Sequence, residues 1–381
     1  MKQKGVIRCV FLLLLLVLFA IPVSAEGEIR EEEVEGGWQD FVATIPPEVA
    51  ELLPQGLLST DLGEVAAGAS EASGLSAVLQ TVGRLTGLAI RENLALVARI
   101  CGILLLSAVF RTAIPKGKCE GALSLLGAAV LAVMLVGDVA GRFAEIGSYF
   151  GVIRGLCVAI LPLMGLLYAM GGNVAAAVAN QAVMAAFLAV LEVICSGTVV
   201  PVASICVVLA LVEAVSGTVS FRPLAGLIKR TYTWGFSLLM MLLCGVLGLQ
   251  STLAKGADTL ALRTVRFAAG SFLPVVGGSI SETLRTVSGS VAYLRGVVGV
   301  GAITVVFFAF LPMFLSVLLT RLAFSLSASA AALLSCSREE KLLSELASVW
   351  GYFLAVIASL FVMTFFSLTL LSHCASPLSL S

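Results

Sequence analysis

Four ionisable side chains fall inside long apolar runs of this chain: Arg99, Asp138, Glu192 and Glu213. A charge at the centre of a bilayer is costly unless it faces a partner or water, so each one asks for an explanation. Glu192 and Glu213 sit in consecutive runs joined by the tight Ser196-Gly197 turn, and Asn180 and Gln181 precede Glu192 by about three helical turns. Two readings stay open. The carboxylates could line a path for protons or a solute, or they could hydrogen-bond between helices and lie near the water interface. Arg99 lies about one turn into its run and can snorkel to the interface, and Asp138 lies about one turn from the end of its own.

A second concentration of polar groups spans 255–285. Lys255 and Asp258 lead into a helical face carrying Arg263 and Arg266, which are three residues apart and share that face. Pro274 has no amide donor, and Gly277 and Gly278 permit backbone conformations other residues resist. Such a segment is too apolar for an ordinary loop and too broken for an ordinary span. It predicts a re-entrant helix–break–helix element, buried between spans or lining a wet cavity. An amphipathic surface helix followed by a loop is the alternative.

Catalytic constellations are missing from the sequence. Ser279 and Ser281 have no His or Lys base near them, and no Walker A loop, HExxH or GxSxG with a histidine partner occurs. His373 is the single histidine, and the nine cysteines are scattered without a CxxC pair. The expectation is therefore a protein with no enzymatic activity, no metal and no cofactor.

The elements that position these residues follow from composition. The chain has 381 residues, 59% hydrophobic and 12% charged, with a mean hydropathy of +1.08. A soluble domain carries about 25% charged residues, so the composition describes an all-α polytopic membrane helix bundle. A formal net charge of zero argues against a nucleic-acid partner. Residues 1–25 read as a signal peptide: Lys2, Lys4 and Arg8, then an apolar core, then Val23-Ser24-Ala25. An uncleaved anchor is the alternative. Residues 26–92 form an acidic, then amphipathic-helical region, in which Leu75, Val78, Leu79, Val82 and Leu85 recur at helical spacing. Residues 93–381 form the membrane domain.

Hydropathy places about eight spans near 94–114, 121–141, 155–171, 174–195, 199–219, 234–253, 297–319 and 347–371. With the mature N-terminus outside, nine basic residues fall inside, among them Arg111, Arg222, Lys229 and Arg338, against seven outside, including Arg142 and Arg154. The bias is slight, so the signal peptide carries the orientation. The charged run from Arg338 to Glu345 reads as a helix start with a solvated face, contact with a cytoplasmic partner being the alternative, and Ser335 or Ser337 is able to cap it.

The order of these features, with Trp234-Gly-Phe, Gly245-Val-Leu-Gly-Leu-Gln250, the stretch from Ala257 to Phe267 and Ser271-Phe-Leu-Pro-Val-Val-Gly-Gly-Ser-Ile-Ser-Glu282, resembles the stage III sporulation protein AE family of endospore-forming bacteria. The resemblance is sharpest over 230–300. It implies a mother-cell protein of the outer membrane around the engulfed forespore. It also implies partners among the other proteins of the same operon, together with a forespore-made channel protein. The assembly it implies is a channel with relatives among specialised secretion systems, in which 26–92 would face the space between the two membranes. The family supplies no catalytic residues to carry over. The rival from another class is a stand-alone secondary transporter in which Glu192 and Glu213 couple to protons.

Overall fold

A computed structural model describes the backbone of residues 31–113, 120–170, 197–216, 220–272 and 277–373, with a few helical positions between 178 and 189; side chains over 251–292 lie outside it. Every regular element among the described residues is a helix. In chain order they are α1 (Glu31–Ala43), α2 (Pro47–Ala50), a 3₁₀ turn (Gln55–Leu58), α3 (Leu62–Ser73), α4 (Leu75–Ala113), α5 (Glu120–Met170), α6 (Val200–Ser216), α7 (Arg222–Phe272), α8 (Gly277–Leu333) and α9 (Ser337–His373).

The long helices form a bundle whose backbone is the α8–α9 hairpin. Its corner has a physical cause in the sequence. Ser335 adopts the left-handed conformation, with φ of 58°. The Cys336 N–H donates to the Ala331 carbonyl and the Ser335 N–H to the Ala332 carbonyl, which is the Schellman pattern that satisfies the last carbonyls of a helix. Ser335 thus terminates α8 rather than capping α9. The two helices then run antiparallel in register, with Phe324 on Trp350 at 5.2 Å and Phe310 on Phe361 at 5.4 Å between ring centroids. Helix α5 joins them through Phe143, 5.5 Å from Trp350, and Tyr149, 5.8 Å from Phe310.

The N-terminal helices cap the other end. Asp61 caps α3, accepting a 2.7 Å bond from the Gly63 N–H. In α1, Val34, Trp38 and Phe41 recur at helical spacing and are fully buried. Trp38 donates through Nε1 to the Ser59 carbonyl at 3.2 Å and its ring packs on Gly301 of α8, where a Cβ would lie 2.8 Å from it. Gly37 meets Leu163 of α5. Residues 31–73 are therefore packed on the membrane helices, and α4 runs unbroken through the 92/93 boundary.

Five helices among the described residues are long and apolar enough to cross a membrane: Ser76–Ala113, Ser124–Leu167, Gly197–Ser216, Gly296–Leu333 and Ser337–Thr369. The expected spans 121–141 and 155–171 are one helix, α5, of 51 residues. The stretch between them has low hydropathy but helical periodicity. Phe143, Ile146, Tyr149, Phe150 and Ile153 are buried, while Glu145, Ser148 and Arg154 are exposed. Averaging over that stretch suggests a loop; its phase is that of a helix. The expected span 174–195 lies almost wholly outside the described residues.

Candidate functional site

Three of the segments expected on one side of the membrane converge at the α8–α9 corner, where α9 holds α4 and α7 through two carboxylates. Glu339, in the first turn of α9, is fully buried. Arg111, in the last turn of α4, places Nη2 3.0 Å from both Glu339 oxygens and donates through Nη1 to the Ser335 carbonyl at 3.0 Å. The Ser107 hydroxyl donates to the same carboxylate at 3.0 Å. Gly127 of α5 makes room for this group, since a Cβ there would lie 2.4 Å from both Glu339 Oε1 and Ser107 Oγ. Beside it, Ile103, Leu106, Phe110, Leu126 and Val130 line an open apolar groove of about 380 Å³ between α4 and α5.

Glu345 lies nearly two turns further along α9. Arg222 Nε donates to Glu345 Oε1 at 2.6 Å, and Lys229 Nζ to Oε2 at 3.0 Å. Arg222 Nη2 also reaches Ser344 at 2.7 Å, and Lys229 reaches Ser348 at 2.7 Å. Lys229 is 6% exposed, so its charge depends on this carboxylate. Burial pushes the Cys336 thiol at the corner up from its ordinary value; the nearby Glu339 adds to that, while Arg111 and Ser107 act against it.

Of the residues singled out in the sequence, Glu213 closes the start of α7. Its Oε2 accepts from the N–H groups of Phe221 and Arg222, each at 2.8 Å, and Oε1 accepts from the Ser220 hydroxyl at 3.0 Å. A carboxylate suits a helix N-terminus, where unpaired N–H groups and the positive end of the dipole meet. Asp138 pairs with Arg99 at 3.4 Å, bringing together two charges that the sequence placed separately. Glu192 and Pro274 lie outside the described residues, as do the side chains of Arg263 and Arg266, whose backbone belongs to α7. Gly277 and Gly278 open α8.

Arg222, Lys229, Glu339 and Glu345 were not singled out in the sequence as a site. The run from Arg338 to Glu345 resembles a solvated face because it opens on four consecutive charges, Arg338 to Lys341. The available signal was complementarity: two acids at a helix start, and Arg111, Arg222 and Lys229 assigned to the same side of the membrane.

The bundle and its buried ion pairs describe an all-helical integral membrane protein whose charged residues join helices to one another. Within that class, the sequence matches the family described as Stage III sporulation protein AE over residues 61–375, more than half of the chain, and the chain belongs to that family. It is 24% identical over 143 residues to Stage III sporulation protein AE of Bacillus subtilis (strain 168), a match covering 38% of this chain and 36% of that relative. The chain thus matches about a third of the length of this curated relative. No solved structure matches it.

Proposed function

We propose that this chain is an integral-membrane core subunit of the transenvelope apparatus linking mother cell and forespore, seated in the mother-cell-derived outer membrane of the engulfed forespore. Its partners on this reading are the other proteins of the same sporulation operon and a forespore-side channel protein. The observation that carries the reading is the family match from 61 to 375, which spans α3 to α9. The geometry is compatible with a building block. At the corner, Arg111, Arg222, Lys229, Glu339 and Glu345 are engaged in joining α4, α7 and α9.

The rival reading as a proton-coupled transporter draws on Glu192 and Glu213. Both oxygens of Glu213 are occupied by Ser220, Phe221 and Arg222, which leaves that carboxylate a capping role. Affinity purification of the tagged chain from membranes of sporulating cells tests the proposal. Recovery of the operon's other membrane proteins is the expected result. Recovery of the chain alone, together with expression in vegetative cells, would overturn it in favour of the transporter.

A further inference from the structure

The length of the bundle says where the membrane stops. Two rulers measure the distance between the α8–α9 corner and the N-terminal cap. On α5, Gly127 touches Glu339 at the corner and Leu163 touches Gly37 in the cap, 36 residues apart. On α8, Ser335 turns the corner and Gly301 touches Trp38 in the cap, 34 residues apart. At 1.5 Å per residue both give about 50 Å. The hydrocarbon core of a bilayer is about 30 Å thick. A helix tilt of 40°, the upper end of the usual range, still leaves about 40 Å along the normal.

The surface divides accordingly. On α4 and α5 the exposed large apolar side chains, such as Leu105, Val109, Leu126 and Val133, lie toward the corner. On α5 the run of them ends at Val136, and past it come exposed Glu145, Ser148, Gly151 and Arg154; on α4 they thin out past Leu94, where Arg91 and Glu92 are exposed beside Ile90, with Leu79 exposed further on. Val158 of α5 and Val300 of α8 are also exposed on that side. On α9 apolar exposure continues to Phe366, as it would if the membrane plane were inclined to the bundle. The cap itself could not sit in lipid. Residues 31–73 hold ten acids and no base, and Asp40, Glu48, Glu51, Glu64 and Glu71 are all exposed.

We infer that the α4–α5 side of the bundle leaves the bilayer near Leu94 and Val136. The remainder of α5, the start of α4 and the cap then form a helical head clear of the hydrocarbon, extending about 40 Å along α5 from Val136 to the cap contact at Leu163. On this placement, the high hydropathy of 155–170 and 297–310 reflects burial in the core of the head. In that stretch Ile160 and Leu163 of α5 and Val298, Ala302 and Val305 of α8 are nearly inaccessible. The head presents an acidic, glycine- and serine-bearing surface to water.

Site-directed spin labelling decides the placement. Single cysteines replace Leu126, Val133, Ser148 and Gly155 in the full chain without its native cysteines. The protein is reconstituted in phosphatidylglycerol–phosphatidylethanolamine vesicles without any partner, so that nothing but lipid or water can cover these positions. The expected result is collision with oxygen dominating at 126 and 133, and collision with a water-soluble nickel chelate dominating at 148 and 155. Oxygen-dominated collision at 148 and 155 would place that part of α5 in lipid and overturn the inference. The sporulation role is untouched by either outcome, because the measurement reads membrane depth alone.

Discussion

Arg111 and Glu339 face each other across the α4–α9 seam, with Nη2 of the guanidinium 3.0 Å from each carboxylate oxygen. The carboxylate is wholly buried and the arginine side chain is 17% exposed, so neither charge has much water to fall back on. Glu339→Leu leaves the arginine uncompensated and is expected to cost about 3–5 kcal/mol. The double variant R111M/E339L removes both charges and should recover most of that loss. Thermal unfolding of the detergent-solubilised chain reads both. Equal melting points for the single and double variants would show that the pair contributes no mutual stabilisation.

Glu213 gives a sharper test because two roles predict different outcomes. As a helix cap, Glu213→Gln keeps one acceptor oxygen and is expected to cost about 1 kcal/mol, whereas Glu213→Ala loses the cap and costs up to about 2 kcal/mol. Spore yield should follow that order, with the glutamine variant near the parent. A glutamine variant with unchanged melting temperature and abolished sporulation would make the carboxylate's charge a functional requirement and end the capping account.

Much of the fold is legible in the sequence because membrane burial and helical periodicity both write strongly. Hydropathy located α6 closely, while its spans 94–114, 297–319 and 347–371 cover only parts of the longer helices α4, α8 and α9. It misdivided α5 because Arg142 and Glu145 lower the mean, although Phe143, Ile146, Tyr149 and Phe150 keep the helical phase. The corner was harder to read for a different reason. Glu339 and Glu345 lie 228 and 123 residues from Arg111 and Arg222, and local pattern carries no information about which remote cation a carboxylate meets. A serine before a charged helix start suits a cap, and Ser335 and Ser337 both fit that pattern. The left-handed backbone of Ser335 is a property of the α8 terminus, where glycine is the usual residue.

Cys336 links the corner to pH. The thiol is fully buried and raised above its ordinary value by burial first and Glu339 second. Since the thiolate is the nucleophile, less of it forms at any given pH than for a free cysteine, and alkylation of the folded chain by N-ethylmaleimide should be slow at pH 7–8. A raised pKa means the fold favours the protonated thiol. Its stabilising contribution is complete below the ordinary thiol pKa and is lost as pH rises through the folded value. Mass spectrometry of Cys336 across pH 7 to 10 should show modification rising later than in the unfolded chain. Modification as fast as in denaturant at pH 7 would contradict the buried corner.

One contact in the docking of the cap can be removed from either side. Trp38 is fully buried, donates to the Ser59 carbonyl and lies on Gly301, whose missing side chain lets the indole approach α8. Trp38→Ala leaves a large cavity and is expected to cost about 3–5 kcal/mol at that seam. Gly301→Leu should act from the other side by displacing the indole, since even a Cβ would lie 2.8 Å from the ring. Either change should free residues 31–73 while sparing the α8–α9 hairpin, which is held by its own aromatic pairs such as Phe324–Trp350 and Phe310–Phe361. Limited proteolysis with an acid-specific endoproteinase reads the difference. The parent chain should resist cleavage at Glu48, Glu51, Glu64 and Glu71, although these side chains are exposed, because cleavage needs the backbone to unfold locally. Both variants should be cut there several-fold faster, with an unchanged C-terminal fragment. Parent-like cleavage in both variants would show that the cap is held independently of Trp38.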